Sequence, residues 1–224
     1  MKLPKTVKIG GMDYKVLYPY KFVKESDEYV GLHSAFDGTI KVSAVGDYES
    51  RSKHKILSTF IHECLHAIDF WMHPNECSED MILKFERGII QLLIDNVDLT
   101  KNIPDKVRIG SNWYKVFQVD KFDNINCIRY SFTDPEACSI ELARYIDGDL
   151  VSENAKRIFM MKSIINLMLV EYVFTMEEGE KIDLERMAFG IYTWLKDNKI
   201  YELVKRELNE DGGDNKICDR DRKK

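Results

Sequence analysis

Hydrophobic and polar positions along the chain follow two rhythms in turn. Near the N-terminus, apolar and polar residues alternate over Val7-Lys8-Ile9 and Tyr14-Lys15-Val16-Leu17, either side of Gly10-Gly11-Met12-Asp13. A period of two flanking a glycine turn predicts a β-hairpin. After Asp37-Gly38, Thr39-Ile40-Lys41-Val42 predicts a third strand, one expected to offer an edge to an extended peptide. The spacing then changes to 3.6, and helices are expected over residues 51–72 and 78–95. The second carries Met81, Ile82, Phe85, Ile89, Leu92 and Leu93 on one stripe. His73-Pro74-Asn75 separates them, because proline cannot continue a helix and asparagine favours turns.

The same order returns one hundred residues further on. Placing 4–22 over 104–122 gives identity at nine of nineteen positions, including Gly10/Gly110, Tyr14/Tyr114 and Phe22/Phe122. Ser139-Ile140-Glu141-Leu142 stands against 39–42, and Asp95-Asn96 recurs as Asp197-Asn198 after a slip of two residues. This is a tandem duplication with a boundary near Thr100 to Pro104. The expected fold is α+β: two homologous units, 1–99 and 100–207, each a small antiparallel sheet followed by two packed helices. The longest apolar stretch, Ile158 to Phe174, contains Lys162, Asn166 and Glu171 and reads as a buried helix, not a membrane span. Residues 208–224 carry five acidic and five basic residues and almost nothing to bury, so a disordered tail is expected.

Composition narrows the class. The 224 residues are 44% hydrophobic and 32% charged, with a net charge of −5, which fits a globular chain. There is no basic footprint for a phosphate backbone, so neither nucleic acid nor membrane is an expected partner. Cys64, Cys77, Cys127, Cys138 and Cys218 are odd in number and form no close pair, the pattern of free thiols in a reducing cytoplasm. The first fifteen residues hold no export signal, so a cytoplasmic location is expected.

The chemistry concentrates in the first expected helix, where His62-Glu63-Cys64-Leu65-His66 forms an HExxH. Two imidazoles four residues apart share one helix face and can reach a single zinc. Glu63, one position round, can take a proton from water at the metal's open side, the arrangement a metal-assisted hydrolase needs. This composition produces the pattern by chance in roughly one such sequence in a hundred. All five histidines lie in the first half, and the matching helix of the second half has apolar residues in the motif's place. A helix that folds without histidines in one copy did not need them for folding.

A third ligand must come from elsewhere, because Asp69 and Met72 stand where the extended motif would place glycine and histidine. The acidic opening of the next helix, Glu76-Cys77-Ser78-Glu79-Asp80, returns towards the metal helix if the two pack antiparallel. Glu79 is the choice, with Glu76, Asp80, Glu86 and His73 as alternatives. Glu79 also follows Ser78, a natural N-cap beside which the helix dipole favours an acid. Asp69 is placed either to accept from a ligand imidazole or to lie in solvent. Cys64, on the opposite side of the helix, reads as core, and Cys77 lies nearer the site. His33, Tyr48 and His73 are open candidates for stabilising an oxyanion.

The order hairpin, strand, HExxH helix and acid-opening helix, with IHECLHAIDF and SEDMILKFERGIIQLLIDN, resembles the small zincin-like metallopeptidases of phages and mobile elements. That group neighbours the ImmA/IrrE-type metallopeptidases. The resemblance covers residues 4–97, and 104–198 match in scaffold only. It implies a compact α+β fold, zinc on His62 and His66 with a downstream acid carried onto Glu79, and Glu63 as general base. A protein or peptide substrate is implied, met in the host cytoplasm if the chain is phage-encoded. The alternative function is a scaffold with little or no turnover that binds a protein partner.

Overall fold

The structure, a computed structural model, describes residues 1–22, 29–46, 49–72, 77–120, 122, 130–172 and 183–209. The alternation at the N-terminus becomes β1 (Thr6–Ile9) and β2 (Met12–Leu17), antiparallel with Thr6 opposite Lys15. Gly10 and Gly11 make the turn at positive φ, where a side chain would be strained. A second hairpin joins β3 (Gly31–Ser34) to β4 (Thr39–Val42), and β4 lies parallel to β2, giving the order β1-β2-β4-β3.

Two expectations are corrected here. The sheet is mixed rather than antiparallel, because the chain makes a long excursion after β2 and re-enters through β3, which leaves β4 running alongside β2. Parallel pairing needs a crossover of that kind. The strand around Ile40 is interior, so the edge open to a peptide belongs to β3, whose GLHS sequence has no alternation to announce it.

A two-residue ribbon, β5 (Val45–Gly46) with β6 (Glu49–Ser50), leads into α1 (Lys53–Met72) and then α2 (Glu79–Asp95). Ser78 caps α2, its Oγ accepting from the Met81 N–H at 3.4 Å. The expected His73-Pro74-Asn75 break, with Glu76, lies outside the described residues, as does Tyr48.

The second half repeats the plan with β7 (Lys106–Ile109), β8 (Asn112–Val119), β9 (Ser131–Asp134) and β10 (Ser139–Ala143) in the order β7-β8-β10-β9. Its registers sit one hundred residues on, with Lys106 opposite Lys115, Lys115 beside Ser139 and Ser131 opposite Leu142. The ribbon β11 (Tyr145–Ile146) and β12 (Asp149–Leu150) leads to α3 (Glu153–Tyr172) and α4 (Leu184–Asp197). A fifth helix, α5 (Ile200–Asn209), was not foreseen, and it makes Leu208 and Asn209 helical. Residues 210–224, the rest of the expected tail, lie outside the described residues.

The halves share one continuous core, in which Phe60, Ile61 and Leu65 of α1 belong to the same buried cluster as Trp194, Leu195 and Tyr201. Each half also reaches across to the other. The Asn96 side chain at the end of α2 accepts from the Arg108 N–H of β7 at 2.7 Å and donates to its carbonyl at 3.0 Å. Asn198, at the end of α4, does the same to Lys8 of β1, at 2.7 and 2.8 Å. Each asparagine thus satisfies the N–H and C=O of one residue on the outer edge of β1 or β7. No helix among the described residues is long and apolar enough to cross a membrane.

Candidate metal centre

One side of α1 is built for packing, with Ile61, Cys64, Leu65 and Ile68 fully buried. The other carries His62 and His66, one turn apart and facing the first turn of α2. Their Nε2 atoms lie 3.0 Å from each other. Glu79 spans both, with Oε1 at 3.0 Å from His62 Nε2 and Oε2 at 3.1 Å from His66 Nε2. These three side chains are arranged to hold a metal ion. A tetrahedral ion with ligands about 2.0–2.1 Å away needs donor atoms roughly 3.3 Å apart, so the set closes on such an ion with little movement.

Glu86, weighed above as an alternative ligand, stands behind the first shell. From two turns along α2 its Oε2 lies 3.0 Å from His62 Nδ1, while Oε1 accepts from the Ser58 hydroxyl. A carboxylate there holds the ring proton on Nδ1 and leaves Nε2 as a bare lone pair. Burial opposes charge on His62, but the Glu86 hydrogen bond and the charges of Glu63, Glu79 and Glu86 outweigh it and raise its pKa. Burial and the neighbouring His62 lower that of His66.

Glu63 turns into the same cavity of about 510 Å³, lined also by Tyr29, Leu32, His33 and Leu83. Glu63 is 7% exposed, and its carboxyl accepts from the His33 backbone N–H. Burial pushes its pKa up to about 7. Gly31 makes room for it: a Cβ at that position would lie on a Glu63 carboxylate oxygen and against Thr59. Asp69 is buried rather than solvated, and accepts from the Cys77 N–H at 3.3 Å, tying the end of α1 to the approach of α2. Its charge acts on His66 in the direction of protonation. Cys64 is wholly buried, as a core residue should be; Cys77 is half-buried, in no disulfide, and not one of the three grouped ligands.

Of the oxyanion candidates, His33 lines the cavity, and Tyr48 and His73 lie outside the described residues. The corresponding place in the second half has been refilled. Lys162 stands for His62 and pairs with Glu185 across the two helices. Ser163 stands for Glu63, and Asn166, for His66, donates to Thr133, which stands for His33, at 3.0 Å. Ser131 replaces Gly31, with no bulky carboxylate left to accommodate.

Sequence reasoning weighed Glu86 as a ligand but did not give it the place behind His62, and it missed Gly31 altogether. Glu86 was findable, since seven residues from Glu79 is two turns and the same helix face. Gly31 carried no local signal because its partner is distant in the chain. The chain matches no family model, no curated protein and no solved structure.

Proposed function

We propose that the protein is a zinc-dependent metallopeptidase whose chemistry resides in the first half. The observation that carries this reading is the convergence of His62 Nε2 and His66 Nε2, 3.0 Å apart, on the Glu79 carboxylate, whose two oxygens lie 3.0 and 3.1 Å from the respective nitrogens. With the His62 proton held on Nδ1 by Glu86, His62 Nε2 turns a lone pair towards the Glu79 carboxylate, and a cation between them, a metal ion or a further proton on the ring, makes that contact favourable. Two imidazoles and a carboxylate suit zinc, and the cavity keeps a further side open.

When bound, zinc supplies the Lewis acidity that makes water a nucleophile near neutral pH and polarises a substrate carbonyl. Glu63, buried beside the ligands, takes the proton from that water and passes it to the leaving amine. Glu86 keeps His62 in the ligating tautomer. β3 forms one wall of the cavity, and its outer edge, unpaired among the described residues, suits an extended peptide, with Leu32, Leu83 and Tyr29 as an apolar rim. Cys64, Cys77 and Cys138 form no disulfide, which accords with a cytoplasmic setting.

Elemental mass spectrometry of the unchelated protein tests the site. About one zinc per chain is expected, lost in His62→Ala and in Glu79→Ala. Glu63→Gln should keep zinc and lose peptide hydrolysis. Folded protein that takes up no zinc when supplied would overturn the reading.

A further inference from the structure

The cavity holds one histidine that ligates nothing. His33 lies on the same face of β3 as Gly31, two residues on, and so over α1 beside Glu63. Its Nε2 is 3.4 Å from the Tyr14 hydroxyl, and that hydroxyl accepts from the Trp71 indole N–H. An indole nitrogen only donates, so the Tyr14 proton is free to point at its other neighbour, the His33 ring. An Nε2 that accepts carries no proton, and a neutral imidazole must then carry its proton on Nδ1.

We infer that His33 donates its Nδ1–H to the oxyanion formed as a peptide carbonyl is attacked, with Trp71 and Tyr14 as positioning residues that fix its tautomer. The inference rests on the hydrolytic reading above. His33 keeps its proton throughout, acting as a fixed dipole aimed at developing charge.

The second half supplies an internal control. Tyr14 is retained there as Tyr114, yet its hydroxyl donates to Glu171, which stands where Trp71 does, at 2.7 Å. His33 has become Thr133 and bonds to Asn166, the counterpart of His66, which places position 33 next to the ligand in this scaffold. Packing positions of the same helix stay apolar, as with Ile61/Met161 and Leu65/Ile165. The donor His33 and Trp71 thus differ in the second half together with the metal ligands, Tyr14 is kept, and the packing positions change only from one apolar residue to another.

The test uses the full chain, loaded with zinc and labelled with ¹⁵N-histidine. Imidazole nitrogen shifts should report His33 protonated at Nδ1, and Tyr14→Phe should remove that bias. On the best-cleaved peptide of a casein digest, His33→Phe should lower kcat by about 10²-fold with KM and zinc content unchanged. Trp71→Phe should give a smaller loss in kcat alone. An Nε2–H tautomer in the wild-type protein, zinc loss in His33→Phe, or an unchanged kcat would each overturn the assignment. Absence of turnover by the wild-type protein would remove the hydrolytic reading and the oxyanion role with it, whereas the nitrogen spectrum judges the relay by itself.

Discussion

Replacing Glu63 by glutamine should stabilise the metal-free protein, by an amount that depends on pH. Glu63 is buried against Thr59, Gly31 and the two histidines, and its carboxyl titrates at about 7 rather than 4.5. At about 1.4 kcal/mol per pH unit, holding that group ionised in the folded state costs about 3 kcal/mol. Below pH 4.5 the carboxyl is protonated in folded and unfolded chains alike, and the cost is absent. Between pH 4.5 and 7 the unfolded chain gives up the proton and the folded chain retains it, so stability falls as pH rises. Above pH 7 the whole penalty is present. Glutamine never ionises, and its amide oxygen can still accept from the His33 N–H.

Urea titrations in the presence of a chelator, at pH 4 and pH 8, measure this directly. The stability difference between Glu63→Gln and wild type should grow by about 3 kcal/mol over that range. For a chain of this size that corresponds to roughly 6–12 °C in Tm. Added zinc should shrink the pH 8 difference, because a nearby cation favours the carboxylate. A difference that does not change with pH, or a variant less stable at pH 8, would refute the argument that burial outweighs His62 and the His33 N–H in setting the Glu63 proton. The confirmed result would mark Glu63 as a residue kept at a cost to folding, the signature of a functional group.

Glu86→Gln should weaken zinc binding by about 10–100-fold in chelator competition, and unchanged affinity would remove it from the site. Gly31→Ala should destabilise by roughly 1–3 kcal/mol through overpacking against Glu63 and Thr59, and the share due to Glu63 should vanish in Gly31→Ala/Glu63→Ser. That double variant restores the small-residue pairing seen at Ser131 and Ser163. Additive effects in the cycle would deny the contact. Asn96→Ala should cost about 1–3 kcal/mol by leaving strand groups unpaired, and Asn198→Ala less, because water reaches the Lys8 groups it bonds. Asn96 is the more deeply buried and should cost more in chemical denaturation.

The hairpin at 6–17, the metal helix and its acid-opening partner could be read from the chain because each depends on neighbours within a few residues. A turn needs its glycines, a strand its alternation and a helix its 3.6 spacing. His62, Glu63 and His66 were legible for the same reason, since one helix turn fixes their common face. The repeat was legible because it is a comparison of the chain with itself.

What remained hidden lies between distant segments. The edge position of β3 follows from a crossover that no local pattern encodes, and it moved the open edge away from Ile40. Gly31 has meaning only against Glu63, thirty-two residues on, and His33 only against Tyr14 and Trp71. The amphipathic α5 was legible in principle but was overlooked beside the charged tail. Asn96 and Asn198 were noticed as a repeated pair, yet only the packing of each half against the other gave each side chain the strand it caps. Local chemistry thus fixed which groups could bind a metal; tertiary packing decided which of them meet, how buried they are and where their protons reside.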